Sequence, residues 1–173
     1  LVRRGLADPD AAREFLNSDG PLSPPEAIDG IAEAADRLAQ AVRSGERIVV
    51  HGDYDCDGIS STAILVRALQ TRGGRVRPFL PSRFIDGYGV SLPTIERLAD
   101  EGTDLLVTVD CGTTAVEAIT LARDLGIATI VCDHHLAGGQ RPPAIIANPA
   151  LGHAVEALPA AAGVTFKLVQ ALA

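Results

Sequence analysis

From Arg47 onward, short runs of almost uninterrupted apolar residues alternate with stretches of helical periodicity, and this alternation narrows the possible folds more than any other feature. Residues 47–51, 75–80, 105–109, 128–132 and 144–147 read as strands. Between and after them, 59–71, 93–101, 113–125 and 161–173 read as helices, several of them closed by glycine at 73, 102 and 126. Strands that are apolar throughout, without alternation, are buried on both faces. The expected fold is therefore α/β, a parallel sheet covered by helices on both sides. A helical N-terminal lead precedes it. Asp8-Pro9 opens a helix with Ala12, Phe15 and Leu16 on one face, and Gly20-Pro21 stops it. A longer helix then carries Ile28, Ile31, Ala35, Leu38 and Val42 on one stripe and ends at Ser44-Gly45.

Three of the predicted strands end in acidic residues or histidines: His51-Gly52-Asp53-Tyr54-Asp55-Cys56-Asp57-Gly58, Asp110-Cys111-Gly112, and Asp133-His134-His135. Parallel sheets bind their ligands beyond the carboxyl ends of the strands, so these distant segments are expected to meet. Taken singly, Asp57 is a helix N-cap and His134 a surface histidine. Three such strand ends at once favour a shared site. Gathered carboxylates repel one another, and a divalent cation removes that conflict. Oxygen-rich ligands with some imidazole favour Mn²⁺ or Mg²⁺ over Zn²⁺, and so many carboxylates suggest two ions bridged by a shared aspartate.

Other classes are excluded or weakened. The chain has no Walker A, GxGxxG or GxSxG motif. Its three cysteines form no CxxC and read as small buried residues, in keeping with a reduced, cytoplasmic setting. No apolar run is long enough to span a membrane. With 15 basic and 22 acidic residues the net charge is −7, which opposes nonspecific nucleic-acid binding but leaves room for a local basic groove. From Ser60 to Ile85 there is no acidic residue, while Arg67, Arg72, Arg75, Arg77 and Arg83 add positive charge. Most of these read as a solvated face. Arg83 follows a strand end and precedes Gly87-Tyr88-Gly89, so Arg83 and Tyr88 are candidate contacts for a phosphate and a stacked base.

The motifs HGDYDCDGISSTAIL, PSRFIDGYG, TVDCGTTA and DHH, in this order, resemble those of the DHH phosphoesterase superfamily. The Asp57-Gly58-Ile59-Ser60-Ser61-Thr62 stretch is most similar to its bacterial single-strand-specific 5′→3′ DNA exonucleases. Arg3-Arg4-Gly5, Asn148-Pro149 and the segment from Ala162 to Leu168 also resemble that branch. The resemblance implies Asp53, Asp55, Asp57, Asp110 and His134 as metal ligands, with Asp110 bridging. It implies His135 as the catalytic residue that binds the scissile phosphate or assists the leaving group. His51, four positions before Asp55 as in related pyrophosphatases, stays open as a ligand. The implied partner is single-stranded DNA, in repair and recombination. Two alternatives stand beside it: a DHH phosphodiesterase for short oligonucleotides or cyclic dinucleotides, and a non-catalytic module that binds metal and nucleic acid. The family's later aspartate and glycine-rich substrate-binding domain do not occur by residue 173. The expected organisation is a lead over 1–24 and a DHH domain over 25–173 truncated at its C-terminal end, poorly active by itself.

Overall fold

The five strands form one sheet in which every neighbouring pair is parallel: β1 (Arg47–His51), β2 (Arg75–Phe79), β3 (Leu105–Val109), β4 (Ala128–Cys132) and β5 (Ile145–Ala147). Their spatial order is β2-β1-β3-β4-β5. The structure, a computed structural model, describes residues 1–17, 23–82, 89–152 and 159–172. All of β3 is buried, and β1 and β4 expose only their first residue, as continuous apolar strands require. Edge strand β2 differs. It is mostly exposed and carries Arg75, Arg77 and Pro78, a composition that suits a strand with one unpaired side.

Alternation along the strands divides the core. Ile48, Val50, Leu105, Val107, Val109, Ile130 and Cys132 face one side of the sheet, where α2 (Ile31–Ser44), α3 (Cys56–Thr71) and α6 (Ala161–Ala171) pack. Val49 and Leu106 face the other, under α4 (Leu92–Asp100) and α5 (Val116–Asp124). In α2 the buried stripe is Ile31, Ala34, Ala35, Leu38 and Ala41. Ile28 is buried too, but it precedes the helix, at the end of a short 3-10 turn. Helix α1 (Pro9–Asn17) starts where Asp8 accepts the Asp10 and Ala11 N–H groups, yet Phe15 and Leu16 remain exposed. Its expected stop at Gly20-Pro21 lies outside the described residues.

Two helices begin elsewhere than periodicity suggests, and both shifts shape the site. Helix α3 starts at Cys56, not at 59, because the Asp55 side chain caps it through the Asp57 and Gly58 N–H groups (both 2.9 Å). Helix α5 starts at Val116, not at 113, because the Ala115 N–H closes a separate turn on the Gly112 carbonyl (3.0 Å) and Ala115 leaves the helical region with ψ of 50°; in that turn the Thr113 N–H donates to Asp133 (3.0 Å). No helix among the described residues is long and apolar enough to cross a membrane.

The first turn of α3 lies directly against the loop from β1. A Cβ on Gly58 would come within 2.4 Å of the Asp53 backbone nitrogen and 2.5 Å of its oxygen. Gly58→Ala is therefore expected to push α3 off that loop and cost roughly 1–3 kcal/mol, measurable as a lowered midpoint in denaturant unfolding. An unchanged midpoint would show that the two segments can separate freely.

Candidate metal centre

Strand order places β1 beside β3, where the winding of the sheet reverses, and ligands bind outside the carboxyl ends of strands at such a point. The loops after β1, β3 and β4 meet there. Asp53, Asp55 and Asp110 each offer an oxygen within 4.8 Å of the others, and Asp110, His134 and His135 form a second group on the same criterion. Asp110 belongs to both.

Each of these side chains is set by its backbone. Asp110 follows the central strand with φ of 62°, the one non-glycine residue in the left-handed region among the described residues. Aspartate tolerates that conformation better than most residues, and strain of this kind collects at functional sites. Its carboxylate is buried and lies 3.2 Å from His134 Nε2. Asp53 is also buried and accepts the Tyr54 N–H at 2.7 Å. Asp55 is exposed at the mouth while it caps α3. Asp57 lies outside both groups: its Oδ2 is 4.0 Å from His134 Nε2, and its two oxygens accept the Ala161 and Ala162 N–H groups at 2.7 and 2.8 Å. It tethers the start of α6, an arrangement for which a contact 104 residues away leaves no local sequence signal.

His51 is fully buried beneath the loop, its ring 5.0 Å from that of Phe79 and its Nδ1 3.7 Å from Cys111 Sγ. It joins neither ligand group. All three cysteines are free. Cys111 and Cys132 are buried as expected, but Cys56 is exposed because it opens α3 on its outer side. Arg83 and Tyr88 lie outside the described residues. On the basic edge, Arg77 pairs with Glu101, and Arg72 and Arg75 donate to the Ala68 and Gly45 carbonyls.

Asp133 has a part that the strand-end pattern does not reveal. It is buried, its Oδ1 accepts the His134 N–H (2.7 Å) and lies 2.8 Å from His135 Nδ1, and its Oδ2 accepts the Thr113 N–H. Burial opposes its charge, but hydrogen bonds from Thr113 and His135 outweigh this and lower its pKa. His135 is raised: burial works against its charged form, and the Asp133 bond and charge prevail. Asp110 is raised too. Burial first, then the charges of Asp55 and Asp57, push it up to about 7. A buried acid held among other acids is a strong ligand for a hard cation, and this oxygen-and-imidazole set fits Mn²⁺ or Mg²⁺.

The fold and these side chains define an α/β domain with a carboxylate-and-imidazole centre for a divalent cation. The chain belongs to the DHH family, whose N-terminal domain matches residues 47–173. It is similar to the single-stranded-DNA-specific exonuclease RecJ of Thermus thermophilus, with 45% identity over 155 residues, and to that of Bacillus subtilis, with 37% over 177. These alignments cover 87% and 99% of this chain but 23% and 22% of the relatives, so the chain spans about a quarter of their length. A crystal structure of exonuclease RecJ bound to manganese superposes with a TM-score of 0.81 at 44% identity, covering 88% of this chain and 39% of that one. A crystal structure of the Thermus thermophilus RecJ in complex with Mn²⁺ gives 0.78 at 41%, covering 89% and 22%.

The raised Asp110 pKa has a consequence for stability. Folding favours the protonated acid, so the metal-free protein loses stability as pH climbs from the ordinary aspartate value toward 7, and the deficit persists above it. Asp110→Asn keeps a residue suited to the left-handed region and removes the charge. Without metal it should be more stable than wild type at about pH 8, by up to about 4 kcal/mol, and equal to it near about pH 4. Mn²⁺ should then raise the melting temperature of wild type more than that of the variant. Equal pH profiles for the two proteins would contradict the burial of this charge.

Proposed function

We propose that this chain carries the catalytic metal centre of a RecJ-type 5′→3′ exonuclease for single-stranded DNA, a cytoplasmic enzyme of repair and recombination. The observation that carries the reading is the double membership of Asp110 in two adjacent ligand groups. It supports two ions, one held by Asp53, Asp55 and Asp110, the other by Asp110 and His134; Asp57, outside both groups and 4.0 Å from His134, joins them only by the family resemblance. Two-metal sites supply a water nucleophile at neutral pH and neutralise charge on the phosphoryl group. In this reading Asp110 bridges the ions. Asp55 and Asp53 hold their side of the centre from the β1 loop, and His135 contacts the scissile phosphate or the leaving oxygen. Arg83 and Tyr88 contact the phosphate backbone and a base, which is motivated by their place after β2 and by the similarity to RecJ. Single-strand selectivity rests on that similarity.

The test is hydrolysis of end-labelled single-stranded DNA, duplex DNA and a dinucleotide with Mn²⁺. Slow stepwise release of nucleotides from the 5′ end of the single strand, abolished by chelation and by Asp110→Ala, is expected. Preference for the dinucleotide, or cleavage that persists in Asp110→Ala, would overturn the reading.

Arg83→Ala should weaken single-strand binding while Mn²⁺ affinity stays the same, since a guanidinium pairs with phosphate and cannot ligate a cation. The slope of log binding constant against log salt should fall by roughly 1. Normal binding at every salt concentration would make Arg83 a surface residue.

A further inference from the structure

Asn148 stands at the end of β5, the edge strand furthest from the β1 loop, and is completely buried. Its amide nitrogen donates twice, to Thr113 Oγ1 and to the His135 carbonyl, each at 2.9 Å. Its Oδ1 accepts the Ala150 N–H at 2.8 Å, which fixes the orientation of the amide, because a flipped group would set oxygen against the His135 carbonyl. The bonds continue. The Thr113 N–H donates to Asp133 Oδ2, and Asp133 Oδ1 accepts the His135 N–H at 3.2 Å and faces His135 Nδ1. Asn148, Thr113, Asp133 and His135 thus close a hydrogen-bonded ring that joins the carboxyl ends of β3, β4 and β5.

The ring grips His135 at its amide, its carbonyl and Nδ1. The carboxylate oxygen facing Nδ1 already accepts backbone N–H groups, so Nδ1 is the donor and Nε2 is the ring atom left to the site. Asn148 supplies the only member of the ring that touches the His135 carbonyl, and it contacts none of Asp53, Asp55, Asp110 or His134 among the described hydrogen bonds.

We propose that Asn148 is a positioning residue that acts through His135, locking the peptide, and with it the place of the ring, with which this histidine meets the substrate phosphate. The proposal rests on the function given above, in which His135 contacts the phosphate. A displacement of a reacting group by about 1 Å is enough to cost about a hundredfold in rate.

Asn148→Asp turns the shared donor into an acceptor opposite the His135 carbonyl. In the Mn²⁺-loaded protein acting on single-stranded DNA, kcat should fall by about ten- to a hundredfold with KM little changed. Calorimetric titration with Mn²⁺ alone should give the wild-type affinity. In a His135→Ala background the same substitution should add no further loss, the signature of one residue acting through another. Thr113→Val should reproduce the defect and Thr113→Ser should rescue it, which keeps the test open if Asn148→Asp does not fold. A crystal structure of Asn148→Asp should show the His135 peptide and ring displaced while Asp110 and His134 keep their places. Additive losses in the His135→Ala background, or Mn²⁺ affinity falling in step with kcat, would overturn the proposal. Wild-type protein that binds Mn²⁺ but leaves single-stranded DNA intact would count against the exonuclease reading instead, and an unmoved His135 in the structure of Asn148→Asp would then overturn the role of Asn148 by itself.

Discussion

Four carboxylates, those of Asp53, Asp55, Asp57 and Asp110, are drawn toward one point beyond the carboxyl ends of β1 and β3, and two of them are buried. Like charges gathered away from water repel strongly. The protein meets this cost partly with backbone amides. Tyr54 donates to Asp53, Asp57 and Gly58 to Asp55, and Ala161 and Ala162 to Asp57. Among the described residues no amide donates to Asp110, which takes the left-handed conformation and has its pKa pushed up to about 7. The residual conflict is concentrated on the residue that both candidate ligand groups share, where a divalent cation would relieve it.

The amides that steady these acids also tie the fold together. Asp55 caps α3, so the helix covering one face of the sheet begins inside the site. Asp57 holds the first N–H groups of α6, which packs against α3 and α2 on that same face. In the proposed reading cation binding and helix docking draw on the same carboxylates, and occupancy of the centre would stabilise the native packing by linkage. On the other side of the centre, the ring from Asn148 through Thr113 and Asp133 does for the histidines what the amides do for the acids. Neighbouring parallel strands carry both halves, which keeps these side chains in register.

Element types and the acidic strand ends were legible along the chain because their signals are local. Continuous apolar runs mark buried strands, Asp8 and Gly45 mark helix ends, and Asp53, Asp55, Asp110, His134 and His135 are conspicuous where apolar runs stop. Local reading errs at the starts of α3, where Asp55 serves the site and the helix boundary together, and α5, where a turn from Gly112 to Ala115 comes before the helix. It also took Cys56 as buried, although the residue opens a helix on its solvent side.

By itself, then, the sequence determined the alternation of strand and helix, the burial of the central strands, and the chemistry waiting at three strand ends, because side-chain period and turn preference act over a few residues. Tertiary structure alone decided that β1 lies next to β3, so that Asp110 completes two ligand groups at once. It also decided that Asp57 reaches Ala161 across 104 residues and that Asn148 closes on Thr113 across 35. Such contacts depend on how covered sheet faces and crossovers pack in space, and no local pattern of residues encodes a partner that distant.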